Sequence, residues 1–241
     1  MRAKVIVVLT FFLFSISSSL AGTQKVLYTF TGGTDGGQPY QAGVVFDTAG
    51  NLYGVTQFGG ANNLGTVFQL TPSAGGAWTE TVLHSFTGVG DGEQPQAGLA
   101  IDGAGNLYGT TSFGGDPNPG SECGTVFELS PSSSGWTFAV LHTFTGQDGC
   151  SPQADLSFWS DSYLLGTTAG GGLGSEGTAF GLSTSGTGHA YASFEGTDGN
   201  YPGGMNSWGY GTTYYGGKEG VGNVFEPAWG DRFSLGGLTS K

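Results

Sequence analysis

Apolar and polar residues alternate along short stretches of this chain, with turn-forming residues between them. In Thr125 to Ser130, Thr125, Phe127 and Leu129 fall on one side, and Val126 and Glu128 on the other. A period of two predicts a β-strand with one buried face. Trp136 to Phe144 reads as a further strand, with Val140, His142 and Phe144 on one side. Upstream, Ala97 to Asp102 and Asn106 to Ser112 are strand candidates. They flank Gly103-Ala104-Gly105, where glycine supplies the positive φ of a tight hairpin. A Gly-rich loop leads to the third strand, and Pro131 with the serines after it turns the chain into the fourth. Apolar positions at helical spacing are missing after the first 21 residues.

This four-strand phrase recurs. Phe-x-Gly stands at Phe30, Phe86, Phe144 and Phe194, at steps of 56, 58 and 50 residues. Asp-Gly-x-x-Pro follows at Asp35, Asp91, Asp148 and Asp198. A Tyr-Gly-Thr-Thr-like phrase begins at Tyr53, Tyr108, Leu165 and Tyr210. Each is followed by a Gly pair, Gly59-Gly60, Gly114-Gly115, Gly171-Gly172 and Gly216-Gly217. Gly-Thr-Val-Phe closes the series at Gly65 and Gly124, in weaker form at Gly177 and Gly222. Five landmarks in one order, four times, define a tandem repeat.

A repeated four-stranded meander with regular turns predicts an all-β, β-propeller-like array of four blades. A lone blade leaves edges and faces uncovered, so blades must stack. Copies fall at about 41–86, 97–144, 154–194 and 203–235, within a single domain, 22–241. Val26 to Phe30 matches a fourth strand yet precedes the first copy. It is placed to complete the last blade and close the ring, giving about sixteen strands in all. The rival is Asp231 to Leu235 as that strand. The third copy carries Phe158 and Trp159 where small residues stood. The fourth has 8 positions from Pro202 to Tyr210 against 13 from Pro95 to Tyr108, and is expected to be the least regular.

Residues 1–21 read as a signal peptide. Arg2 and Lys4 precede the apolar run Val5 to Ile16, and Ser19 and Ala21 form a small-residue cleavage site. The predicted product is secreted and is not an integral membrane protein. Glycine is abundant, at 49 of 241 residues, without the strict triplet period of collagen. Without Arg2 and Lys4, the six basic residues fall to four against 18 acidic ones, a net charge of −14. Lys25 and Lys218 have no Lys or Arg between them. Nucleic-acid binding, which needs cations on phosphates, is excluded, and phosphate ligands lose their usual clamp.

The repeat phrases resemble those of the GloVer tandem-repeat family of exported bacterial proteins. The shared landmarks are Ser/Thr-Phe-Thr-Gly, Asp-Gly-x-x-Pro, Gly-Asn-x-Tyr-Gly-Thr-Thr, Gly-Gly and Gly-Thr-Val-Phe-x-Leu, over about residues 26 to 226. The resemblance implies the repeat architecture and export and brings no activity with it. The chain ends in Gly-Gly-Leu-Thr-Ser-Lys, which favours a freely secreted product over an anchored one.

Candidate chemistry is sparse. Cys123 and Cys150 lie at the same end of one predicted blade, 27 residues apart, and are expected to form a disulfide. Asp35, Asp91, Asp148 and Asp198 share the loop face with the Gly pairs. They are weak candidates for Ca²⁺ or polyol binding; the preferred reading is that each caps its own turn, the ordinary role of a residue that recurs with the fold. Asp47 and Asp102 read as hairpin caps. His84 and His142 are equivalent strand positions, matched by Tyr28, and His189 falls in another register, so no histidine site is expected. Trp78 and Trp136 are assigned to packing between blades, and Phe58 and Phe113, on the loop face, are candidates for ligand contact. Nucleophile, P-loop and dinucleotide motifs are absent. The expected function is a non-catalytic exported module, without a resident cofactor, binding glycan or another exported protein. The alternative is a propeller-type polysaccharide hydrolase or lyase with paired carboxylates drawn from distant loops.

Overall fold

The computed structural model describes residues 24–39, 42–116 and 122–227. The signal-peptide residues and Asp231 to Leu235 lie outside that set. The fold is all-β, four antiparallel sheets arranged as the blades of a β-propeller. The first blade is β1 (Val45–Phe46), β2 (Leu52–Thr56), β3 (Thr66–Pro72) and β4 (Trp78–Ser85). The second is β5 (Ala100–Ile101), β6 (Leu107–Thr111), β7 (Thr125–Ser132) and β8 (Gly135–Thr143). The third is β9 (Ser157–Ser160), β10 (Tyr163–Thr168), β11 (Thr178–Ser183) and β12 (His189–Ser193). The fourth has three strands among the described residues, β13 (Asn200–Met205), β14 (Gly211–Tyr215) and β15 (Val224–Phe225).

The repeat phrases are the packing code of the blade junctions. The phenylalanine that immediately follows each of β4, β8 and β12 wedges against the third strand of the following blade. Phe86 meets Phe127 at 5.3 Å between ring centroids, Phe144 meets Phe180 at 5.1 Å, and Phe194 meets Phe225 at 4.8 Å. Phe30 meets Phe68 in the same way at 4.9 Å. The Tyr-Gly-Thr-Thr glycine lies opposite the inner phenylalanine of its own blade, as in the pair Gly109 and Phe127. A Cβ on Gly109 would sit 2.5 Å from that ring. Glycine is therefore the seat for the third-strand phenylalanine on which the wedge packs.

Two expectations change. The third strand of each inner blade is covered on both faces: Val126 is as buried as Phe127, both at 0% exposure. Blades press on it from either side, so alternation there does not separate core from solvent. The fourth blade is less complete than the ring-closing role of Val26 to Phe30 requires. That segment supplies Phe30 to the first blade but joins no ladder with β15. Val224 is 78% exposed, where its counterparts Val67, Val126 and Ala179 are at 0%. Trp136 packs against Tyr53 of the first blade at 5.7 Å, the inter-blade role assigned to it, whereas Trp78 packs on Leu52, Phe68 and Leu70 of its own blade.

Candidate functional site

The chemistry concentrates where an outer strand hands over to the next blade. After each wedge phenylalanine the chain makes a tight loop, and the Asp-Gly-x-x-Pro aspartate caps it. Asp35 accepts bonds from Thr31 N–H, Thr31 Oγ1 and Tyr28 Oη at 2.9, 2.6 and 3.0 Å. Asp91 accepts from Thr87 N–H and Oγ1, and its Oδ2 lies 3.1 Å from His84 Nε2. Asp148 accepts from Thr145 N–H and Oγ1, both at 2.9 Å, and its Oδ2 lies 2.8 Å from His142 Nε2. Asp198 accepts from Glu195 N–H at 2.6 Å. All four carboxylates are thus engaged by their own turns.

The rest of the loop fastens adjacent blades. The residue before each proline adopts the left-handed conformation, with φ of 54°, 53°, 58° and 56° at Gln38, Gln94, Ser151 and Tyr201. A residue before proline is normally extended, so this is a strained choice. It aims Gln94 N–H at Leu64 O, Ser151 N–H at Cys123 O, and Tyr201 N–H at Glu176 O, at 2.8, 2.9 and 3.1 Å. Cys123 and Cys150 are disulfide-bonded at the second of these crossings, with Cα atoms 4.3 Å apart. The aspartate loops also bridge to the Gly-pair loops, Gly37 to Phe58 and Glu93 to Phe113, so both sets share one face.

Each of the first three junctions adds a third side chain from the outer strand of the following blade. Glu80, Phe138 and His189 hold this place, opposite Leu70, Leu129 and Leu182 respectively. Phe138 stacks on His84 at 3.8 Å, and His189 stacks on His142 at 4.0 Å. The expectation that no histidines would meet is therefore corrected: His142, Asp148 and His189 converge. His189 Nδ1 is 3.8 Å from Asp148 Oδ2, and one ligand-type atom from each residue lies within 4.8 Å of the others. The register concealed this because β4 and β8 each carry a bulge opposite the Val-Phe step, and β12 has none. Counted back from Ser193, His189 is one position out of phase with Phe138.

The electrostatics differ between junctions. Burial works against ionisation of Asp148, but the bonds from His142 and Thr145 outweigh it and hold the carboxyl at about 2. Burial and the neighbouring His142 together bring His189 down to about 4, against the pull of Asp148. Burial lowers His84, partly offset by Asp91. At the first junction, burial and then Asp35 raise Glu80, whose buried Oε1 has no hydrogen-bond partner.

Two hollows open on the loop face. One, of about 450 Å³, lies across the second to fourth blades and is lined by Gln96, Gln153, Tyr201, Thr212 and Tyr214 among others. Tyr201 Oη donates to Gln153 Oε1 at 2.9 Å. The other, of about 520 Å³, lies at the first blade and is lined by Phe58, Phe30 and Asn63 among others. Phe58 thus borders a hollow, and Phe113 is partly exposed beside Glu93. Gln153, Tyr201 and Tyr214 escaped the sequence reading. Tyr201 and Tyr214 stand where the other copies have Gln or Ser and small or polar residues, and departure from the repeat was the available signal.

The sequence profile of the Gloeobacter/Verrucomicrobia repeat matches residues 11–228. The chain belongs to that family. In this Gloeobacter/Verrucomicrobia repeat protein the profile spans all four blades, so the recurring loop-capping aspartates and wedge phenylalanines are repeat features. No curated protein matches the chain. Among solved structures it is similar to a crystal structure of a protein provisionally named a gluconolactonase, at 17% identity and a TM-score of 0.41. The match covers 77% of this chain and 63% of that one, and at that distance it says nothing about activity.

Proposed function

We propose that this repeat protein is an exported, non-catalytic binding module that holds a neutral glycan on its loop face, in the hollow across the second to fourth blades. The observation that carries this reading is the lining of the hollow. Amides from Gln96 and Gln153, the hydroxyl of Thr212, and the rings of Tyr201 and Tyr214 line it, with no acidic or basic side chain among the lining residues. Amides and hydroxyls serve sugar hydroxyls as uncharged donors and acceptors. Tyrosine offers a flat apolar face with a polar tip to the sugar ring. A few polar groups converging on a concave surface are the usual make-up of a small-ligand site.

Binding is preferred to hydrolysis for the same reason. A glycosidase sets two carboxylates about 5–10 Å apart across the scissile bond, and the lining supplies none. Export rests on the N-terminal apolar run with its flanking charges, joined by a disulfide of the kind oxidising compartments maintain. No helix of the described residues is long and apolar enough to cross a membrane.

A glycan array followed by calorimetry tests the proposal. Uncharged oligosaccharides should bind, binding should weaken at least tenfold in Y201A and Y214A, and no reducing ends should be released. Binding confined to charged glycans, indifference to both substitutions, or release of reducing sugar would each overturn it.

A further inference from the structure

One junction is built differently from its neighbours. The repeat needs only a flat side chain at the position that packs on the junction histidine, and Phe138 meets that need in the second blade by stacking on His84. The third blade places an imidazole there instead. His189 is mostly buried and makes no hydrogen bond through either nitrogen, and its Nε2 is a buried polar atom without a partner. The nitrogen turned toward the carboxylate is Nδ1, at 3.8 Å from Asp148 Oδ2, too far for a hydrogen bond and so also without a partner, where buried polar groups are normally satisfied.

We propose that His142, Asp148 and His189 form a binding site for a divalent transition-metal ion of the zinc type, between the outer strands of the second and third blades. The donor set is two imidazoles and one carboxylate, which suits zinc, nickel or copper. Zinc bonds of about 2.0–2.1 Å set tetrahedral ligand atoms roughly 3.3 Å apart. The present separations of 2.8 and 3.8 Å from Asp148 Oδ2 bracket that value. Thr145 occupies Asp148 Oδ1 through both N–H and Oγ1, leaving Oδ2 to face the imidazoles. Fixing of a ligating carboxylate by its second oxygen is the usual support for a metal ligand. No Lys or Arg occurs between Lys25 and Lys218, so no basic side chain from that span competes for the carboxylate. One carboxylate is too few for Ca²⁺, which takes six to eight oxygens. Three protein ligands leave a fourth position open.

The test uses tag-free protein freed of metal by a chelator and titrated with Zn²⁺ alone. One ion should bind per chain, and saturating Zn²⁺ should raise the melting temperature by about 5–10 °C. H189F and H142Y import the residues that stand at the equivalent places, Phe138 and Tyr28, so the fold has already accommodated both. Each should weaken Zn²⁺ binding at least about tenfold and remove the thermal shift. Co²⁺ should give a visible d–d absorption in the unsubstituted protein, a readout independent of either variant. Absence of saturable Zn²⁺ binding at 100 μM, absence of the Co²⁺ band, or unchanged affinity in both variants would overturn the proposal.

Discussion

Glu80 shows what a single junction residue can cost. It sits where the other blades carry Phe138 and His189, beside Asp35, with its buried Oε1 unpartnered. Burial first, and Asp35 second, raise its pKa, so folding disfavours its ionisation. Ionised Glu80 therefore weakens the fold above its unfolded pKa of about 4.3, and the cost disappears below it. E80Q should raise the melting temperature at pH 7 by about 2–4 °C and leave it unchanged near pH 3.5. Paired thermal melts at the two pH values check this. The capping aspartates have the opposite sign. Hydrogen bonds from Thr31 and Asn106 hold Asp35 and Asp102 low, so their contribution is present above about pH 4 and lost as acid protonates them. Their role as caps was legible in the sequence, because Asp35 recurs with its Gly and Pro and Asp102 precedes a Gly-rich hairpin turn. The cost at Glu80 was not, because its neighbour Asp35 comes from the segment that precedes its own copy of the repeat.

Among elements, the strands were easier to foresee than their contacts. The strand phrases located β6, β7 and β8 to within a few residues, while the innermost strand shrank to Ala100–Ile101. Alternation on β7 suggested one buried face, but two blades sandwich it, and a sequence cannot count the layers above a strand. The bulges in β4 and β8 are a second hidden variable: one extra residue moves every later position and separated His189 from its partner. The Cys123–Cys150 bond was legible because both cysteines lie at one end of a blade. It closes a loop with a sequence separation of 27. The paired substitution C123A/C150A should lower stability by about 3–4 kcal/mol in the chain-entropy picture. Urea unfolding, with and without reductant, measures it: reductant should move the parent protein to the variant's midpoint and leave the variant where it is.

At the scale of the molecule, the blades form a graded series. The second is flanked on both sides, with Phe127, Phe144 and Val126 at 0% exposure. The fourth shows one face to solvent: on β14, Gly211 and Thr213 are buried while Thr212 and Tyr214 are exposed. Amide exchange should follow that order. Protection should be greatest in β6 and β7 and lowest in β13 to β15, because local opening is easiest where buried contacts are fewest. Hydrogen–deuterium exchange by mass spectrometry reads this directly. Equal protection across the four blades would mean that the array opens as one cooperative unit.

The variable third position at each junction is a socket in an otherwise fixed wall. Its rim is made by one copy, the aspartate and its Tyr or His, and its plug by the next, as Glu80, Phe138 and His189 show. Because the plug alone changes, a strained acid, an inert ring and an imidazole can follow one another along a single chain without disturbing the frame. Duplication of a copy brings a rim and a plug together, and exchange of neighbouring copies deals new pairs. Chemistry in such an array is written in the order of its copies.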